Sequence, residues 1–373
     1  MSLTVEQLDT VTEVNRNQWN NVVEQSELGC VSHRYEWLRA VEAGISHDAK
    51  HLVVRKKGNP IAVFPNFVTE LDLSTGKQVE RLRSELGLTD VGQIERLQSE
   101  LGLDVGGQVE RLSSIRPGYG GPITMTSEEE TIELLLDTVG ELCTGRILYN
   151  ELRTYDQRYV RYHDLLDERG YKPVIHSCRF TLDLSQGWEP VYQGMDSERR
   201  RGIRRGHESE FEVVDEEITE DTLMAFYDGY ETVAERVGQP THPRSFFREL
   251  PRLADRLQLF TLRVDGADRG QYIHLLDDEQ STIQHLFTAV TEEHFEYRAP
   301  ELLHEHAIRW GIEEGYETYE LRGSPPDFRN SVFRFKEYFG AETVPSIIYE
   351  RGRPAPALTA LNVGRSLTRR LES

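Results

Sequence analysis

The sequence predicts an α+β protein of two lobes, each a mixed, mostly antiparallel sheet flanked by helices, with a helical repeat insertion in the first lobe. Three observations predict it. At 373 residues the chain is long enough for two domains with separate cores. Two turn signals, Lys56-Lys57-Gly58-Asn59 and Asp265-Gly266, stand between apolar runs and mark antiparallel hairpins. Helix-spaced and strand-spaced apolar patterns alternate through both halves. The expected divisions are 1–172 for the first lobe, with 70–111 as the insertion, 173–350 for the second lobe, and 351–373 for a basic, Pro-containing tail.

In the first lobe, Trp19, Val22 and Val23 mark an early helix, and residues 30–44 a second one carrying Trp37, Leu38 and Val41. Residues 51–55 and 60–68 read as hairpin strands. A 15-residue repeat follows: Gln78-Val79-Glu80-Arg81-Leu82 recurs from Gln93 and again from Gln108. Each copy has the spacing of a short amphipathic helix ended by glycine, and the intervening glycines exclude a long coiled coil. The copies could stack, or protrude as an arm for a partner; a tolerated duplication in a surface hairpin is the favoured reading. In residues 116–122, RPGYGGP, glycines around Tyr119 and Gly120 let backbone approach a ligand, although a plain Pro-Gly turn reads equally well. A helix over 127–143 capped by Ser127, a strand over 147–152, a helix ending near Gly170 and a strand over 174–184 lead into the second lobe.

There, residues 222–237 and the run from Phe246 are helical, and 257–264, 270–276 and 281–290 are strands. Pro300 and Glu301 suit the first turn of a helix over 299–314 with Gly315 behind it. A strand over 317–321 and a Gly-Ser-Pro-Pro turn follow. Asp327 is placed to cap a helix over 327–339 with Phe328, Val332, Phe335 and Phe339 on one stripe, and a strand over 346–350 closes the lobe.

The composition sets 64 acidic against 43 basic residues, a net charge of −21, and six of the basic residues are lysine. Acid excess with lysine scarcity points to a cytoplasmic protein of a salt-accumulating, halophilic cell; an ordinary acidic protein is the plainer alternative. The charge argues against a DNA binder. Cys30, Cys143 and Cys178 are too few and too scattered for a disulfide framework or a zinc site, and no apolar run has the length of a membrane span. His207, His274, His285, His294, His304 and His306 have no ligand spacing, so no metal is expected and they read as surface or internally satisfied residues.

The stretch from Tyr297 to Ala341 carries a resemblance. Pro300, Leu302, Leu303, Ile308, Trp310 and Gly315, then Gly323, then Phe335-Lys336-Glu337-Tyr338-Phe339-Gly340 follow in order. This resembles the C-terminal part of the Fem-type aminoacyltransferases and the related FemAB-like acyltransferases, two-lobed members of the GNAT superfamily. The resemblance implies two GNAT-like lobes and transfer of an acyl or aminoacyl group from an activated donor to an amine by direct attack in a ternary complex. A small-molecule or polymer-precursor amine would be the acceptor. No tightly bound cofactor is implied; acyl-CoA is the favoured cosubstrate and aminoacyl-tRNA the alternative. A catalytically inactive two-lobed binding protein, recruiting a partner through its repeats, is the competing class.

Lys336 is the candidate catalytic group. It is a cation among Phe333, Phe335 and Phe339, suited to a developing oxyanion, and it matches the lysine of the family's F-K motif. Arg199, Arg200, Arg201, Arg204 and Arg205 form a cluster unusual in so acidic a chain, a candidate anion clamp, unless the glutamates at 208–217 merely neutralise it. Arg201, Arg204 and Arg205, with Tyr119, Gly120, Gly323 and Ser324, are the expected substrate-binding residues. Arg298, Ala299 and Pro300 are the expected donor contacts. One departure stands out: where CoA-dependent relatives carry a glycine-rich pyrophosphate loop, residues 291–298 read TEEHFEYR.

Overall fold

The computed structural model describes residues 3–45, 47–71, 109–237 and 241–352. Strand β1 (Leu3–Leu8) precedes helices α1 (Arg16–Gln25) and α2 (Tyr35–Gly44). Strands β2 (Asp48–Ala49), β3 (His51–Lys56), β4 (Asn59–Phe64) and β5 (Asn66–Leu71) lead to the repeats. Beyond them come β6 (Val109–Ser114), β7 (Ile123–Thr124), α3 (Glu128–Leu142), β8 (Ile147–Arg153) and α4 (His163–Glu168). Next are β9 (Lys172–Asp183), α5 (Trp188–Gly194), α6 (Ser197–Gly206), β10 (Phe211–Glu216), α7 (Glu220–Arg236) and α8 (Arg244–Glu249). The chain closes with β11 (Leu257–Val264), β12 (Ala267–Asp277), β13 (Thr282–Ala289), α9 (Ala299–Glu313), β14 (Thr318–Glu320), α10 (Ser331–Glu337) and β15 (Glu342–Gly352).

The described residues divide into two compact units. One holds 3–28, 47–71, 109–174 and 347–352; the other holds 29–45, 175–237 and 241–346. In the first, β1, β3, β4 and β7 form an antiparallel sheet in that order. A second set runs β15-β8-β6-β5-β2, antiparallel except for the β6–β8 pair. In the second unit, β10, β11, β12 and β13 are antiparallel neighbours, β14 joins β13 in parallel, and β9 pairs with β14. The α+β architecture is the expected one. Both hairpins turn where the sequence placed them, through Lys57-Gly58 and Asp265-Gly266, all four residues at positive φ as a type I′ turn requires. Helix α2 packs in the second unit although it precedes β2 in the chain: Trp37 meets Phe246 edge-on at 5.9 Å.

Several expectations need correction. Strand β1 was not anticipated, because only Leu8 of its six residues is buried and the apolar alternation is weak. Residues 31–33 form a 3-10 turn and α2 starts at Tyr35. Ser127 precedes α3 in a left-handed conformation without capping it; its hydroxyl accepts from Lys56 Nζ instead. The last repeat copy, expected as a helix, is strand β6, paired to β5 and β8 on either side with Leu112 in the core; sheet context overrides local propensity. The first two copies lie outside the described residues, as does the tail beyond Gly352. Leu71 stands opposite Val109, so the chain leaves and re-enters the sheet at paired positions. Helix α10 is shorter than expected: Asn330, not Asp327, caps it, while Asp327 binds Arg329. Phe328 and Val332 are 72% and 41% exposed, so they lie off the buried stripe. Among the described residues no helix is long and apolar enough to cross a membrane.

Candidate active site

Strands β13 and β14 pair only from Thr282–Gln284 to Thr318–Glu320. Beyond that, β13 continues to Ala289, while the other strand turns off through Leu321 and Arg322, the latter at φ 57°. The two central strands therefore splay. Ser324 is tied back to β9 by paired backbone bonds with Cys178, 3.0 Å each way.

Helix α10 delivers Lys336 into this region. Asn330 caps the helix through the Val332 and Phe333 amides, and Phe333 packs edge-on against Phe180. Lys336 is buried, and Nζ donates to the carbonyls of Gly323 at 2.7 Å and Arg322 at 3.3 Å. An ammonium has three donors, and these are its two bonds among the described residues. Burial lowers its pKa to about 8; the Arg322 charge adds to the effect, and Glu320 and Cys178 oppose it. Arg179 on β9 pairs with Glu320 on β14 at 2.6 Å, both buried.

Behind the splay lies a buried polar cluster. The Tyr319 hydroxyl stands 2.7 Å from His304 Nδ1 and 3.0 Å from His274 Nε2. It has one proton, so it can donate to only one ring, which must present a neutral imidazole nitrogen, and it accepts from the other. Burial holds His274 at about 3 and pushes His285 and His304 well below the ordinary histidine range. The Tyr272 ring lies tilted against His285 and His304, with centroids at 4.3 and 4.8 Å. His285 Nε2 and His274 Nδ1 are buried with no hydrogen-bond partner among the described residues. The expectation of surface or satisfied histidines is thus corrected for His274 and His285, while His304 is satisfied by Tyr319; no metal-holding group occurs among the described residues. A signal existed: His304, Ile308 and Gly311 share the buried face of α9.

The arginines of α6 divide by role. Arg199 is buried, pairs with Glu301 at 2.7 Å, and lies over Phe335 and Phe339 at 4.1 and 4.8 Å. Arg200 binds Gln193, and Arg204 reaches the Tyr192 hydroxyl at 3.4 Å. Arg201, Arg204 and Arg205 are exposed, and among the described residues none of the five pairs with the glutamates at 208–217. Helix α6 lies close on α9: a Cβ at Gly206 would come within 2.7 Å of Leu302.

Arg298, in a left-handed conformation, immediately precedes α9, with Ala299 and Pro300 in its first turn. The acidic turn ahead of it is less hostile to an anion than its sequence implies. Glu292 pairs with Arg236 at 3.0 Å, Glu293 takes the Thr291 hydroxyl at 3.0 Å, and Arg269 lies 4.5 Å over the Tyr297 ring with its Nε unpartnered. Of the candidate residues, Lys336, Gly323 and Ser324 come together at the splay. Arg201, Arg204, Arg205, Arg298, Ala299 and Pro300 lie on the packed helices α6 and α9. Tyr119 and Gly120 belong to the first unit. The Arg179–Glu320 pair and the grouping of Tyr319 with His274, His285 and His304 were not anticipated.

Residues 193–336 match the family described as Acetyltransferase (GNAT) domain. No curated protein matches the chain significantly. Among solved structures, the chain shares its fold with FemX at a TM-score of 0.64 and 11% identity, covering 92% of this chain and 96% of that one. L-PGS from Bacillus licheniformis gives a TM-score of 0.52 at 12% identity, over 94% and 96% of the two chains. A tandem GNAT protein from the clavulanic acid biosynthesis pathway gives 0.51 at 13%, over 94% and 98%. These matches show that the chain has the two-lobed GNAT fold of those structures, with the acetyltransferase-domain match confined to residues 193–336.

Proposed function

From a tandem GNAT fold with an acetyltransferase domain over residues 193–336, we propose that this protein transfers an acyl or aminoacyl group from an activated donor to an amine, by direct attack in a ternary complex. The observation that carries this reading is the buried Lys336 ammonium at the mouth of the splayed strands, held by two carbonyls with one N–H to spare. The acceptor nitrogen forms a bond to the donor carbonyl carbon. The oxygen that takes up the electron pair lies within the field of Lys336, which is strong where water is excluded. Collapse breaks the bond to the thiol or hydroxyl leaving group, which takes up the proton that the new ammonium loses. Arg179 and Glu320 hold the surrounding strands as a pair of opposite charges, and Lys336, with Arg322 beside it, supplies the positive potential.

The preferred donor is an acyl-CoA thioester. Arg236, Arg269 and Arg298 flank the acidic turn before α9, so a pyrophosphate there would meet guanidiniums as well as carboxylates. A charged tRNA would need a broader basic surface than this chain of net charge −21 offers. Acid excess and lysine scarcity support a cytoplasmic, salt-adapted setting. Calorimetry in molar KCl with CoA thioesters, then with charged tRNA, tests the donor. Binding of a thioester is expected; binding of charged tRNA with no response to any thioester would overturn the choice.

A further inference from the structure

Three guanidiniums converge on one buried carboxylate in the first unit. Glu151 on β8 accepts from Arg116 Nη1 at 2.9 Å and from the Ser113 hydroxyl at 2.8 Å. Arg111 on β6 and Arg153 on β8 each bring a nitrogen to 3.7 Å. Glu350 on β15, directly opposite Glu151 in the ladder, is a second buried carboxylate among the described residues. Among the described residues, three cations against two anions leave a surplus of positive charge. Burial would raise the Glu151 pKa, yet Arg111, Arg153 and Arg116 hold it down at about 2. Burial and the neighbouring Arg111 and Arg153 lower Arg116 to about 10, against the pull of Glu151.

The three arginines are not equivalent. Arg111 is 11% exposed and anchored to the Thr69 hydroxyl. The Arg116 and Arg153 side chains are 38% and 20% exposed, so solvent reaches both. Arg153 lies 5.3 Å from the Tyr119 ring, and its buried Nε has no partner among the described residues. The RPGYGGP loop is held beside them: the Gly120 amide donates to the Arg153 carbonyl at 2.6 Å, and the Gly121 amide to the Tyr159 hydroxyl at 3.1 Å. Gly118 is at φ 115°, and a Cβ on Gly121 would come within 2.6 Å of the Tyr159 ring, so both glycines are required by this loop. A surplus guanidinium beside a rigid glycine loop destabilises the free protein, and a bound anion relieves that cost.

We propose that Arg116 and Arg153, backed by Glu151 and bordered by the Tyr119 loop, form a binding site for a small oxyanion, a phosphate or carboxylate group. That this group belongs to the acceptor rests on the transfer reading above; the anion site itself does not. The test titrates the full-length protein with inorganic phosphate and, separately, with acetate, by calorimetry. Saturable binding is expected, weakened at least tenfold by Arg116→Gln and by Arg153→Gln, and less by Arg116→Lys. The tighter of the two probes identifies the source as phosphate or carboxylate. Should the glutamine variants misfold, the wild-type protein decides: the bound probe should protect Arg116 and Arg153 from phenylglyoxal, read by mass spectrometry. Absence of saturable binding, folded glutamine variants that bind like wild type, loss with Arg204→Gln alone, or modification of Arg116 and Arg153 unchanged by either probe would each overturn the site. None of these readings requires turnover, so failure of the transferase reading is distinguishable from failure of this one.

Discussion

Replacing Lys336 by Met removes the buried ammonium while retaining much of the side chain's bulk, and the pH dependence of its effect follows from the structure. Burial lowers the Lys336 pKa from 10.5 to about 8. Between those values the folded protein holds a neutral lysine and the unfolded chain a charged one. The unfolded state therefore binds more protons, and wild-type stability rises with pH across that window. Below about pH 8 both states are charged and the burial cost is present in full. The shift corresponds to about 3 kcal/mol, of which about 2–3 kcal/mol should be recovered between pH 7 and pH 10. Other groups titrate in both proteins, so the difference between wild type and Lys336→Met isolates this one. Urea unfolding followed by tryptophan fluorescence suits the measurement, because Trp37, Trp188 and Trp310 all lie in the second unit. The wild-type protein should gain that amount on the variant as pH rises. A difference that stays flat, or falls, would refute the claim that Lys336 is buried as a charge.

Tyr319→Phe should cost about 2–4 kcal/mol, since it leaves nitrogens of His274 and His304 buried without their partner. Tyr316→Phe, whose hydroxyl meets Asp278 near the surface, should cost under about 1 kcal/mol; equal thermal shifts for the two would contradict the reading of the cluster. Replacing residues 74–108 by a short Gly-Ser linker should cost under about 1 kcal/mol, because Leu71 and Val109 already face each other and closure entropy changes slowly with length. Loss of soluble protein on that deletion would show that the repeats belong to the core.

Much of the architecture was legible because it is locally encoded. Lys57-Gly58 and Asp265-Gly266 announce their turns, and Pro300 and Gly315 bracket α9. Lys336 stood out because lysine is scarce and its neighbours are aromatic. What local pattern could not give is tertiary pairing. The last repeat copy becomes a strand because β5 and β8 flank it. Arg199 looked like part of an anion clamp until α9 brought Glu301 against it. Arg179 and Glu320 lie 141 positions apart, and Tyr319 joins histidines from α9 and β12, so neither grouping has a signature in linear spacing. The surroundings of the acidic turn before α9 were likewise hidden, as Arg236 and Arg269 reach it from α7 and β12.

The central claim is that Lys336 acts on the transferred group. The direct measurement is acyl transfer from a CoA thioester to a panel of amines, read by release of free thiol, for wild type and Lys336→Ala, with circular dichroism on both. Lys336→Ala should remain folded and lose about 10²–10³-fold in kcat, the loss typical of removing one donor to a developing oxyanion. A folded Lys336→Ala that turns over like wild type would contradict the account.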